Sequence, residues 1–126
     1  MARIQHIAIM TEDQAKLVEF YKNTFEMKEV YRHMSGKGTL EEGMEAIYLS
    51  DGTINLAILP ACGRPEGIHH FGMQVDDFDG AAQRAMTSGA KQAPQANPKD
   101  GRFAEGFILD PAGTRVDMST KGWRTA

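Results

Sequence analysis

Cysteine occurs once in the 126 residues, at Cys62, and tryptophan once, at Trp123. An internal disulfide is therefore impossible, and a cysteine-built zinc site is excluded. No apolar run approaches the length of a membrane span, and no hydrophobic stretch near the first residue reads as a secretory signal. Basic residues form no run and no stripe interleaved with aromatics, and the net charge of −3 argues against a dedicated nucleic-acid binder. What remains is an ordinary globular balance, 41% hydrophobic and 25% charged, in a chain long enough to bury a core without staples. One domain over residues 1–126, located in the cytoplasm, is the expectation.

What the chain does have is an internal repeat. Placing His6 on His70 runs "HIAIMTEDQAKL" (6–17) over "HFGMQVDDFDGA" (70–81), each an apolar strand that ends in an acidic pair and enters a helix. Further on, "YLSDGTINLAI" (48–58) runs over "FILDPAGTRVDMS" (107–119) once Pro111-Ala112 is treated as an insertion. Each half reads as strand, helix, then a run of strands. Module one covers about 1–62, module two about 67–120, and a tail follows over 121–126.

Local signals agree with this order. Residues 3–10 alternate, with Ile4, His6, Ala8 and Met10 on one face and Ile7 and Ile9 on the other. Thr11 and Gln14 make a capping box, and the helix after them carries Leu17, Phe20, Tyr21 and Phe25 on one stripe. Asp76 or Asp77 caps a second helix that runs to about Thr87, with Gly89 just past its end. Turns fall at Gly36-Lys37-Gly38, Asp51-Gly52 and Asp110-Pro111-Ala112-Gly113, a polar loop at Asn97-Pro98-Lys99-Asp100-Gly101, and the link between halves at 62–66. Two modules that each cover one sheet face with a helix are expected to pair their other faces around a cleft.

Equivalent strands would then contribute His6 and His70, and the last strand Asp117, with Arg115 and Ser119 on the same face. Counting four residues on from Gly52 and from Gly113 puts Leu56 at the matching place in module one. Two imidazoles and a carboxylate suit Fe2+, Mn2+, Co2+, Ni2+ or Zn2+. Three protein ligands leave positions open for water and substrate. A bound divalent ion would keep a net positive charge, suited to an anionic, oxygen-chelating substrate and to its enolate. Within "HH", His69 points away from His70 and belongs near a helix or strand edge, while His33 faces solvent. Glu12-Asp13 and Asp76-Asp77 read as caps and turns, and Glu41-Glu42 as a solvated turn.

The double strand–helix–strands pattern, with "QHIAIMTED", "HHFGMQVDD" and "DPAGTRVDM", resembles the vicinal oxygen chelate superfamily over nearly the whole chain. That superfamily includes glyoxalase I, methylmalonyl-CoA epimerase, extradiol dioxygenases and the fosfomycin and bleomycin resistance proteins. The resemblance implies an α+β fold: two tandem βαβββ modules forming a curved mixed sheet around a metal-binding cleft, helices outside. It implies a homodimer and one divalent metal ion on His6, His70 and Asp117.

Departures from the family narrow the reading. Asp117 stands where the family usually has the longer Glu, and Leu56 where glyoxalase I and the epimerase add a fourth ligand. Phe107 stands where the dioxygenases carry a Tyr, with Lys99, Asp100 and Arg102 nearby and no histidine.

The first expectation is thus a metal-dependent, glyoxalase-like lyase or isomerase acting on a small substrate with adjacent oxygens. Tyr48, the repeat equivalent of Phe107, is its acid–base or hydrogen-bonding candidate. Gln74 and Arg115 are candidates for substrate contact, Arg115 alternatively pairing with Asp117 or Glu105; Leu56, Phe107, Met10 and Met44 line the wall. Trp123 anchors the tail or forms a lid. The alternatives are an Fe(II) extradiol-type dioxygenase and a metal-free small-molecule binding or resistance protein, none of the three with nucleic acid or membrane as partner.

Overall fold

Strand β1 (Arg3–Thr11) realises the predicted alternation: His6, Ala8 and Met10 are buried, while Ile7 and Ile9 are half-buried on the opposite face. It opens a computed structural model that describes residues 1–34, 45–97 and 103–126. The turn at Gly36-Lys37-Gly38, the pair Glu41-Glu42, Met44, the loop positions Pro98, Lys99, Asp100 and Gly101, and Arg102 lie outside the described residues.

After β1 come helix α1 (Gln14–Phe25) and strands β2 (Lys28–Met34), β3 (Glu45–Ser50) and β4 (Asn55–Pro60). The order then repeats as β5 (Gly67–Gln74), α2 (Phe78–Thr87), β6 (Gln92–Ala96), β7 (Gly106–Leu109) and β8 (Arg115–Ser119). The strands form one mixed eight-stranded sheet in the order β2-β3-β4-β1-β5-β8-β7-β6. With the two helices found among the described residues, this is the α+β architecture that the family resemblance implied. Among the described residues, no helix is long and apolar enough to cross a membrane.

The chain divides into two compact units, residues 6–69 with 124–126, and residues 1–5 with 70–123. In the first, β4 runs parallel to β1, and β3 is antiparallel to both β4 and β2. The pairing His6–Asn55, Ile7–Leu56, Ala8–Ala57 sends alternate residues of both strands to the same two faces. Val18, Ile47, Leu49, Leu56 and Ile58 form the buried cluster, with Ile7, Ile9, Leu17, Tyr21 and Met27 against it.

Two expectations for α1 are corrected. The cap is Asp13, whose carboxylate accepts from the Lys16 N–H at 3.1 Å, while the Thr11 hydroxyl accepts from the Asp13 N–H at 3.0 Å. Gln14 takes no part in a capping box, because its side-chain amide donates to the carbonyls of Glu45 (2.8 Å) and Ile58 (2.9 Å). The buried stripe is Leu17, Val18 and Tyr21; Phe20 and Phe25 are 52% and 61% exposed. Phe20 lies at the edge of that stripe and Phe25 is the last residue of the helix, and the two outer rings stack edge-on with one another instead, centroids 6.3 Å apart.

Asp51-Gly52 turns the chain from β3 into β4 as expected: Gly52 has φ 99°, and Asp51 Oδ1 accepts from the N–H of Thr53 and Ile54, each at 2.9 Å. The link at 62–66 is tied back to the end of β1 through Glu66, which accepts from the Thr11 hydroxyl at 3.3 Å and from the Glu12 N–H, just past the strand, at 2.8 Å.

In the second unit β8 runs parallel to β5, with Gly72 opposite Asp117, and antiparallel to β7, with Phe107 opposite Asp117. Asp110 makes the turn between them by accepting from the Ala112 and Thr114 N–H groups, each at 2.9 Å. Asp77 occupies the cap position of α2, and Gly89, at φ 95°, follows the helix end. Gly106 is required for contact. A Cβ there would lie 2.4 Å from the Gln95 carbonyl oxygen and 2.6 Å from the Phe78 ring. Gly106→Ala is expected to destabilise the protein by about 2–3 kcal/mol in chemical denaturation; a loss below about 0.5 kcal/mol would show that β6 and β7 pack differently.

Candidate metal centre

One ligand atom from each of His6, His70 and Asp117 lies within 4.8 Å of the others, and all three residues are buried. His70 and Asp117 sit on the parallel pair β5 and β8, with His70 Nε2 3.2 Å from Asp117 Oδ2. Arg115 Nε donates to the other carboxylate oxygen, Oδ1, at 2.8 Å. The Arg115 guanidinium lies 4.2 Å from the centre of the Phe107 ring, a cation–π contact on the same face. Of the two uses open to Arg115, the structure therefore shows the ion pair with Asp117; Glu105 instead accepts from the Thr120 hydroxyl at 2.5 Å.

Burial alone would raise the Asp117 carboxyl. The hydrogen bond and charge of His70, together with the charge of Arg115, outweigh it and hold the group below the ordinary aspartate value. The carboxylate is thus ionised at neutral pH, as ligation requires. His6 Nδ1 is 2.9 Å from Asn55 Oδ1, and Asn55 Nδ2 donates to the Arg124 carbonyl at 2.7 Å. Two imidazoles and one ionised carboxylate, close together and buried, fit a divalent ion of borderline hardness and leave coordination positions for other ligands.

The remaining sequence candidates divide. Tyr48 is half-buried on β3 opposite Ala57, which is itself opposite Ala8, so its side chain is on the face of His6. Its ring centre is 5.8 Å from that of Tyr31. Phe107 shares the face of Asp117. Gln74 also lies on the His70 face, but its amide accepts from Arg3 Nε at 3.1 Å and donates to the Thr120 carbonyl at 3.5 Å, a tie within the protein. His69 is turned from the site as expected, yet it is exposed where packing was expected, because β5 is uncovered over Gly67–His69. His33 is half-buried where a solvent-facing ring was expected. Trp123 is buried, an anchor for the tail.

Leu56 is corrected. It packs in the apolar cluster beneath α1, on the opposite face from His6. Asp117 faces Gly72, two residues past His70; the corresponding residue two past His6 is Ala8, and its partner is Ala57. The matching place for a fourth ligand therefore holds an alanine, and the turn-based count was off by one. Asn55 and Arg124 were missed by the sequence reading. A lone asparagine opening the apolar run "NLAIL" was a signal for the first; nothing local marks the second.

A family model described as the Glyoxalase/Bleomycin resistance protein/Dioxygenase superfamily matches residues 3–118, and the chain belongs to this superfamily. The solved structures it resembles include a hypothetical protein from Bacillus halodurans C-125, at TM-score 0.75 and 18% identity over 99% of this chain and 98% of that one. Methylmalonyl-CoA epimerase from Mycobacterium tuberculosis aligns at TM-score 0.67 and 16% identity, over 91% of this chain and 85% of that one. A mutant 4-hydroxymandelate synthase from Streptomyces coelicolor aligns at TM-score 0.74 and 16% identity, over 98% of this chain but 40% of that one. Identities this low establish a shared fold. No curated protein sequence matches the chain.

The Arg115 contact has a pH consequence. Asp117 is held below its ordinary value, so its stabilising contribution is present above about pH 4 and is lost as pH falls through the folded-state value. Arg115→Gln raises that folded value, so acid unfolding of metal-free protein, followed by circular dichroism, is expected to begin at higher pH than in wild type. An unchanged acid midpoint would refute the assignment.

Proposed function

We propose that the protein is a metal-dependent enzyme of the glyoxalase-like lyase or isomerase type, acting on a small substrate that presents two adjacent oxygens. The observation that carries this reading is the buried group of His6, His70 and Asp117. These three would hold the ion, which when bound supplies a Lewis acid to the substrate oxygens. His70 and Arg115 together favour the ionised form of Asp117, and the Arg115 bond to Oδ1 leaves Oδ2 directed toward His70. Tyr48, on the His6 face, is the residue assigned to give or take the substrate proton. Phe107 gives an apolar wall on the Asp117 face, under the Arg115 guanidinium. An epimerase among the neighbours in fold is in keeping with proton transfer as the reaction type.

A second reading rests on the donor count. With Ala57 at the fourth position, two histidines and one carboxylate also have the composition of an oxygen-activating Fe(II) site. Oxygen uptake with a catechol panel after anaerobic Fe(II) loading separates the two.

Purified protein stripped of metal and titrated with Mn2+, Co2+, Ni2+ and Zn2+ is expected to take up about one equivalent, on the three-ligand logic of such sites. His70→Ala is expected to abolish uptake and His69→Ala to leave it nearly intact. Equal losses would refute the strand register. Absence of uptake by wild type would favour a metal-free binding protein. Tyr48→Phe should leave metal affinity unchanged and lower turnover about 10²–10⁴-fold once a substrate is found.

A further inference from the structure

We infer that Asn55 is a positioning residue that presets the His6 ring, and that the C-terminal segment sets Asn55 through the Arg124 carbonyl; this rests on His6 serving as a ligand. Asn55 is completely buried. Its Nδ2 is 2.7 Å from the Arg124 carbonyl oxygen and its Oδ1 is 2.9 Å from His6 Nδ1. A carbonyl only accepts, so the nitrogen of the Asn55 amide must be the end that faces Arg124. The oxygen that remains toward His6 also only accepts, so Nδ1 must carry the hydrogen. A neutral imidazole has one N–H, and the lone pair is therefore on Nε2. His6 is thus held in the tautomer that offers Nε2 to a cation, and its plane is fixed by the same bond.

The far end of this chain of contacts is itself held. The Arg124 guanidinium lies 4.4 Å from the centre of the Tyr31 ring on β2, a contact that restrains the residue whose carbonyl orients Asn55. Just before it, the Trp123 N–H donates to Gln5 Oε1 at 3.0 Å. Gly122 has φ 74°, in the left-handed region that favours glycine, which sets the turn that leads into Trp123. Two links can be separated by substitution. Aspartate at position 55 keeps an acceptor for Nδ1–H and loses the donor to Arg124, whereas leucine loses both.

The test uses the 126-residue protein with 15N-labelled histidine. In metal-free wild type at neutral pH, long-range 1H–15N spectra are expected to show His6, assigned by its loss in His6→Gln, with the hydrogen on Nδ1. Calorimetric titration with Co2+ is expected to show Asn55→Leu weakened about 10–100-fold. Asn55→Asp should stay within about threefold of wild type, since a carboxylate partner serves the same ring nitrogen. A chain ended at Trp123 should fall about tenfold, as the orienting carbonyl is lost. A hydrogen on Nε2 in the metal-free protein overturns the inference. So does Asn55→Leu binding Co2+ like wild type, or Asn55→Asp failing as deeply as Asn55→Leu while melting like wild type. If Asn55→Leu does not fold, the wild-type spectrum and the shortened chain decide. Failure of wild type to bind Co2+ would remove the metal-centre reading alone, because the position of the hydrogen is measured without metal.

Discussion

A strand offers alternate residues to opposite faces, and this two-residue period governs the rest of the molecule. On β1 it assigns Ile7 and Ile9 to the apolar cluster beneath α1 and leaves His6, Ala8 and Met10 for the other side. Through the parallel pairing of β4 it assigns Leu56 and Ile58 to the cluster and Asn55 and Ala57 to the histidine's side. Slipping either strand by one residue would put a histidine and an asparagine among Val18, Leu49 and Ile58 while turning isoleucines toward the ligands. Core and site are therefore two readings of one register. The cost of burying His6 without partners helps to hold that register in place.

Among the described residues, His6, His70 and Asp117 each have a polar counterpart. Asp117 is removed from water, which works against its charge, and His70 and Arg115 restore that charge. The Arg115 guanidinium in turn lies over the Phe107 ring. His6 answers to Asn55 and Asn55 to Arg124. Such an arrangement keeps the donor atoms in place before anything binds, so little ordering is left to be done at that moment. The alanine at position 57 marks the boundary of the set: on the strand paired with β1 it stands at the place that matches Asp117, and its methyl group can neither donate nor ligate.

The order of elements was legible because each signal for it is local. Strand alternation in 3–10, the Asp-Gly and Asp-Pro-Ala-Gly turns and the repeated acidic pair after an apolar strand all act within a few residues. The three candidate ligands were legible for another reason, since the repeat places His6 on His70 and strand alternation puts Asp117 on the last strand of module two. The errors were of distance or competition. Gln14 had two carbonyls within reach that a capping box did not consider. Phe20 and Phe25 satisfied an apolar stripe on paper, but the sheet beneath the helix accommodates only Leu17, Val18 and Tyr21. Leu56 was counted from a turn, and a turn does not tell which strand its successor will pair with.

By itself, then, the sequence determined the double βαβββ order, the identity of His6, His70 and Asp117 as candidates, and the exclusion of an internal disulfide and of a cysteine-built zinc site. Those properties depend on composition, period and spacing. Only the tertiary structure decided that Ala57 rather than Leu56 matches Asp117, that Arg115 is spent on the carboxylate, and that Arg124 reaches Asn55 from 69 residues further along the chain. These depend on register between strands and on where the tail comes to rest. The physical reason is the same in each case: a hydrogen bond between distant residues leaves no period in the sequence, and becomes visible only when folding has brought its two ends together.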